Sequence, residues 1–193
     1  MIQPQITYRR AIPADFDGIL CLQHQNLLTT LQGEDLSQGF LSLEFTREQL
    51  RRVNTEIGIF VALRDKTVIG YLMAESVEFA AGSPLMAHML KRLTDGFFNG
   101  IALSSCCLFV YGPVCVDRQQ RGHGVLEALF GIMKETLRAD YDVGVAFVSE
   151  NNPRSLHAHR HKLGMKVVDK FEFNGQKYNT LVFDTGAAGT ESS

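Results

Sequence analysis

The sequence predicts a mixed α/β fold, a sheet layered by helices. Three observations carry that reading. Two apolar, β-branched runs fold back at polar turns, one over residues 57–77 and one over 167–183. Segments with helical spacing lie before and between them. In the middle, a strand candidate passes through a glycine-containing turn into an amphipathic helix. Helices interspersed with antiparallel hairpins define a helix-layered sheet.

Each element has its own warrant. Ile6 to Arg10 reads as a short strand. Pro13 opens a helical stretch with Phe16, Ile19, Leu20, Gln23, Leu27 and Leu31 at near-helical spacing, ended by Gly33. Thr46 to Asn54 reads as a second helix, with Thr46 and Gln49 at capping-box spacing. Ile57–Leu63, the turn Arg64-Asp65-Lys66 and Thr67–Val77 form a hairpin. Pro84 starts a helix inside the stretch from Phe79 to Gly100, with Leu85, Met89 and Leu93 on one face. Leu108 to Val116 is a strand, and residues 124–139 form a helix with Val125, Leu129, Met133 and Leu137 in one stripe. Val143 to Val148 is a strand. Asn152-Pro153 starts a helix that Gly164 stops. The last hairpin turns at Asn174-Gly175.

A chain of 193 residues fits a single domain, here 1–185 with a small polar tail over 186–193 expected to be disordered. The net charge of -2 gives no electrostatic footprint for nucleic acid or an anionic membrane. Met1 to Arg10 lacks the apolar core of a signal peptide, and the most apolar stretch, Ile101 to Val110, is too short to span a bilayer. A cytoplasmic protein is expected. Cys21, Cys106, Cys107 and Cys115 show neither zinc-type spacing nor a disulfide framework, and read as reduced, mostly core residues.

The chemistry concentrates in Val114-Cys115-Val116-Asp117-Arg118-Gln119-Gln120-Arg121-Gly122-His123-Gly124-Val125. A helix N-terminus offers unpaired N–H groups and a positive dipole end, so it receives phosphate well. Gly122 and Gly124 let a ligand approach the backbone. Arg118 and Arg121 add charge suited to a pyrophosphate or a 3′-phosphate. A P-loop would need Gly-Lys-Ser/Thr, and a dinucleotide loop a third glycine where Glu127 stands. A plain glycine-rich turn before a helix is the alternative.

Gln119-Gln120-Arg121-Gly122-His123-Gly124 resembles the Gln/Arg-x-x-Gly-x-Gly/Ala acyl-CoA signature of the GCN5-related N-acetyltransferases. Asn152-Pro153-Arg154-Ser155, running to Leu163-Gly164-Met165, resembles that family's next helix. Tyr8 to Asp15 resembles its opening strand and first helix. The resemblance implies a central, mostly antiparallel sheet flanked by helices, with acetyl-CoA as acyl donor and direct attack of an amine on the thioester. It places the backbone of Val114, Cys115 and Val116 along the pantetheine arm, with an N–H near Val116 facing the thioester oxygen. The N–H groups of Gln119 to Gly124, at the start of the helix that Val125 opens, would hold the pyrophosphate. Asn152 and Ser155 would reach the cofactor from the later helix.

The family often carries a Tyr on that helix to protonate the leaving thiolate. This chain has His157, His159 and His161 instead, and its Asn-to-Gly spacing is about one residue longer. His159 is assigned the acid role. A solvated helix face is the alternative for these histidines, and His157 with His161 at i,i+4 would share a face fit for a metal if a third ligand stood nearby; no metal is expected. Glu75 is assigned the general base, with Glu78 and Tyr111 as other candidates. Pro113 hints at a bulge or splay in its strand. Met86, Met89, Phe97 and Phe98 suit either an acceptor wall or core packing. The expected partners are acetyl-CoA and a small-molecule or peptide amine, and a homodimer is compatible with this fold. A non-catalytic acyl-CoA-binding or sensor module is the competing function.

Overall fold

The computed structural model describes residues 5–30 and 40–186. In chain order its elements are β1 (Thr7–Arg10), α1 (Phe16–His24), α2 (Arg47–Glu56), β2 (Gly58–Arg64), β3 (Thr67–Glu75), α3 (Val77–Ala80), α4 (Pro84–Leu93), β4 (Phe97–Phe98) and β5 (Ile101–Ala102). Then come β6 (Leu108–Val116), α5 (Val125–Leu137), β7 (Val143–Ser149), α6 (Pro153–His157), β8 (Lys166–Phe173) and β9 (Gln176–Asp184). The seven long strands follow the hydrogen-bonded order β1-β2-β3-β6-β7-β9-β8. The β6–β7 pair is parallel; β1–β2, β2–β3, β7–β9 and β8–β9 are antiparallel. Among the described residues no helix is long and apolar enough to cross a membrane.

The chain divides into two units, one within Met1–Ala74 and Gly112–Met133, the other within Glu75–Tyr111 and Lys134–Ser193. In the first, the β2–β3 hairpin turns on Asp65 and Lys66, both at positive φ (48° and 68°), a two-residue turn whose twist suits paired strands. The capping box of α2 forms as the sequence predicts: the Thr46 hydroxyl accepts from Gln49 N–H, and Gln49 Oε1 accepts from Thr46 N–H at 2.8 Å. The first helix is shorter than its periodicity suggests. Pro13–Asp15 is a 3-10 turn, and α1 stops at His24. Two contacts beyond the helix accompany the stop. Asn26 Nδ2 donates to the Leu22 carbonyl at 2.8 Å, and its neighbour Leu27 forms a parallel bridge with Leu41. Leu31 and Gly33 lie outside the described residues, as does the tail beyond Gly186.

In the second unit the two faces of the sheet have distinct fillings. One face carries Val143, Val145, Tyr178, Val182 and Phe171, covered by Leu85, Met89 and Leu93 of α4 and by Phe98. Met86 packs with Val110 and Ala80. The Met and Phe residues of the 79–100 stretch therefore serve the core: Met86, Met89 and Phe98 are buried, and only Phe97 of the four stands exposed. The acceptor-wall expectation fails for those three. Arg92 grips Asp169 through two hydrogen bonds, 2.6 and 3.0 Å, tying α4 to β8.

The other face is aromatic. Phe109 meets Tyr141 and Phe183 edge-on, Phe183 meets Tyr111, and Tyr111 meets His159, with ring centroids 5.4–5.9 Å apart. Gly144 makes this possible. A Cβ there would fall 2.1 Å from Phe183 Cζ and 2.8 Å from Phe109 Cζ, so only glycine lets the rings lie on the β7 backbone.

Candidate active site

The glycine loop belongs to the first unit. Asp117 follows β6; its Oδ1 accepts from Gln119 N–H at 2.8 Å and its carbonyl from Gln120 N–H at 2.9 Å. Arg121 N–H reaches the Arg118 carbonyl at 3.4 Å. This 3-10 turn uses the amides of Gln119, Gln120 and Arg121 internally, so the stretch of amides expected to meet a pyrophosphate divides in two. The part left facing outward begins at Gly122. Gly122 and Gly124 adopt φ of +83° and +80°, and a Cβ at either would meet nothing within 4 Å. The first bond of α5 runs from Ala128 N–H to the Gly124 carbonyl, so the N–H groups of Val125 and Leu126 precede the helical ladder. His123 is exposed beside them, and so is Arg118.

Arg121 has a different duty from the one its charge suggested. Its Nε donates to the Val116 carbonyl at 2.9 Å, and its Nη2 to Asn26 Oδ1 at 2.7 Å. Asn26 in turn holds the end of α1 through Leu22. Arg121 thus braces the loop against β6 and α1. Nothing in the sequence pattern marked Asn26, because its partner lies 95 residues away.

Strand β6 changes character along its length. Its parallel ladder with β7 covers Leu108–Val110 against Val143–Val145 and stops there, while β6 continues to Val116 and β7 to Ser149. Gly112 has φ of +109° and Pro113 follows, in line with the splay that Pro113 suggested. Beyond it Val114 and Val116 are half-buried. Cys115 is buried, with burial pushing its thiol up to about 12, so it is no nucleophile. The other cysteines are not core residues as expected: Cys21 and Cys107 are exposed and Cys106 is half-buried.

The second unit holds two buried titratable groups, Glu75 and His159, that the sequence assigned to proton transfer. Glu75 ends β3 at 3% exposure, and burial raises its carboxyl to about 8. At neutral pH it is mostly a neutral acid. Asn152 caps α6, its Oδ1 accepting from Ser155 N–H at 3.3 Å. The helix then widens into a π-type turn over Ala158–Lys162, where Leu163 N–H reaches back to the Ala158 carbonyl at 3.2 Å. That turn absorbs the extra residue between Asn152 and Gly164. It also sends the histidines in different directions. His157 and His161 are exposed with rings 4.5 Å apart, and no group of three metal-ligating side chains occurs among the described residues. His159 is buried at 4% exposure.

His159 Nδ1 lies 2.7 Å from the Ser155 carbonyl oxygen and 3.3 Å from its hydroxyl. A carbonyl only accepts, so Nδ1 carries the proton and Nε2 of the neutral ring offers a lone pair. Burial lowers the pKa of His159, outweighing the Ser155 hydrogen bond. With its one proton held on Nδ1 by the Ser155 carbonyl, the neutral ring can take a proton at Nε2 and has none there to give. This tautomer suits a proton acceptor better than the acid role expected of His159. Ser155, expected at the cofactor, is the residue that fixes this tautomer.

The fold now has known counterparts. An acetyltransferase of the GNAT family from Streptococcus pneumoniae matches at TM-score 0.63 and 12% identity, over 94% of this chain and 100% of that one. An N-acetyltransferase from Staphylococcus aureus Mu50 matches at 0.61 and 16%, over 94% and 99%. A GNAT superfamily phosphinothricin acetyltransferase from Sinorhizobium meliloti, in complex with acetyl-CoA, matches at 0.58 and 18%, over 97% and 92%. No family model matches the sequence, and no curated protein matches it. The chain has the fold of the GCN5-related N-acetyltransferases.

Proposed function

We propose that the protein is an acetyl-CoA-dependent N-acetyltransferase. The observation that carries this reading is the outward-facing Gly122–Gly124 backbone immediately before α5, whose leading N–H groups suit a pyrophosphate. The fold and the acetyl-CoA complex of a structural counterpart support it. In this reading the amides of Gly122 to Leu126 hold the pyrophosphate, exposed Arg118 adds positive charge, and the backbone of Val114 and Val116 lines the pantetheine arm.

Two buried groups with oppositely displaced pKa values supply the proton transfers. His159 Nε2 takes the proton from the amine as its nitrogen attacks the thioester carbon. The C–N bond forms, the C–S bond breaks, and the thiolate leaves. Glu75, protonated at neutral pH, can return a proton to the sulfur. A thiol of pKa about 8.5 leaves readily, so this donor adds little to the rate. The assignments expected for Glu75 and His159 are thereby exchanged, because burial protonates the one and a carbonyl fixes the tautomer of the other.

Release of free CoA thiol tests the reading. Purified protein with acetyl-CoA and a panel of primary amines should liberate thiol in step with amide formation. Absence of amine-dependent thiol release across peptides, amino-acid amides and alkylamines would reject it.

A further inference from the structure

Residues 40–45 of the first unit are bonded back onto the end of α1. Gln23 of α1 is buried at 1% exposure, and its side-chain amide satisfies both polar groups of the Phe45 backbone. Its Nε2 donates to the Phe45 carbonyl at 2.9 Å, and its Oε1 accepts from the Phe45 N–H at 3.0 Å. Leu41 N–H donates to the Asn26 carbonyl at 2.8 Å, and Leu28 N–H to the Leu41 carbonyl at 2.9 Å. Leu27, Leu41 and Phe45 are buried. Asn26 donates its own N–H to the Gln23 carbonyl at 2.9 Å. The main chain of Asn26 therefore holds the 40–45 segment, while its side chain accepts from Arg121, which braces the glycine loop at Val116. One buried residue belongs to both.

A residue shared in this way couples the two segments. Whatever fixes Asn26 from the loop side also favours the bonded 40–45 segment, and by linkage the bonded segment favours the loop's ligand by the same factor. Leaving the Phe45 N–H or carbonyl unpaired is costly, which favours a seated segment over a half-released one. We propose that Gln23 is a positioning residue for the cofactor: it seats residues 40–45, and through Asn26 and Arg121 that seating sets the affinity of the glycine loop for acetyl-CoA. This rests on the N-acetyltransferase reading above and adds to it a reciprocal link between cofactor binding and the order of the 40–45 segment.

Hydrogen exchange on the wild-type protein gives the first test. Saturating acetyl-CoA should slow the Leu28, Leu41 and Phe45 amides about 5–150-fold, the usual span of such coupling. In Asn26→Ala at saturation that slowing should disappear, while the Ile57 amide of α2 responds alike in both proteins. Equal slowing of Leu41 and Phe45 in the two proteins would overturn the proposal. Titration with acetyl-CoA gives the second test. Gln23→Leu should weaken binding about 5–150-fold. Gln23→Glu, which keeps an oxygen acceptor for the Phe45 N–H, should weaken it less, and Q23L should add nothing in the Asn26→Ala background. A Q23L protein that melts lower but binds acetyl-CoA as wild type does would reveal a purely structural role and overturn the proposal, as would an equal effect of Q23L in both backgrounds. If acetyl-CoA neither raises the wild-type melting temperature nor slows any amide, the parent reading fails. If it raises the melting temperature and the Leu41 and Phe45 amides do not slow, only this inference fails.

Discussion

The 2.7 Å contact between His159 Nδ1 and the Ser155 carbonyl fixes which imidazole nitrogen is available for chemistry. It arises because α6 widens into a π-type turn just where the chain has one residue more than the usual spacing. The ring is then carried inward against Tyr111 while its neighbours His157 and His161 stay in solvent.

Replacing His159 with Gln should lower kcat/KM by about 10²–10⁴-fold, the range expected for loss of a positioned proton acceptor. The same residue has a stability signature. Its folded pKa lies below the unfolded value of about 6.5, so its contribution is full above that pH and lost as pH falls from 6.5 through the lowered value. Melting temperatures between pH 7 and 4.5 should fall less steeply in His159→Gln than in wild type.

Glu75 gives the opposite sign. Its pKa is raised from 4.5 to about 8, so the folded state favours the protonated form. The associated stability is full below pH 4.5 and is lost as pH rises to about 8, by up to about 5 kcal/mol. Glu75→Gln should match wild type near pH 4.5 and melt progressively higher than wild type from pH 6 to 9. Parallel pH profiles for the two proteins would show that the carboxyl is not buried in solution.

Arg121 and Asn26 should behave as one unit. Arg121→Ala and Asn26→Ala each remove the 2.7 Å bond that braces the loop, so both should weaken acetyl-CoA binding several-fold. The double variant should cost less than the two single effects combined, with a coupling of about 0.5–3 kcal/mol. Strict additivity in titrations of the four proteins would mean that the brace does not act on the loop.

Gly144→Val should destabilise the second unit, because even a Cβ would overlap the Phe183 ring. Overpacking of this kind costs about 1–3 kcal/mol or more. Calorimetry should show a fall of several degrees, partly restored by a companion Phe183→Leu.

Much of the fold was legible because its signals are local. The two hairpin turns, the Thr46–Gln49 box, the stripe of α5 and the Asn152 cap each need only neighbouring residues. The errors have long-range causes. Helix α1 stops at His24 because Leu27 pairs with Leu41, and the Met residues of α4 are core because β7 and β9 lie beneath them. The small elements α3 and the β4–β5 hairpin were too short for periodicity to reveal. In the candidate site, the glycines stood out by type and spacing. The brace from Asn26 and the clamp of Gln23 on Phe45 did not, since neither follows a pattern along the chain. The inward turn of His159 was hinted at only by one extra residue.

The central claim is that the glycine loop holds acetyl-CoA, and thermal stability with and without that ligand tests it most directly, with NADH at equal concentration as the anion control. At about 100 times its dissociation constant, acetyl-CoA should stabilise the fold by roughly 2.7 kcal/mol, a rise of about 5–10 °C. The rise should vanish in Gly122→Val, where φ of +83° disfavours a β-branched residue. No rise with acetyl-CoA, or an equal rise with NADH, would contradict the account and leave the loop as a turn before a helix.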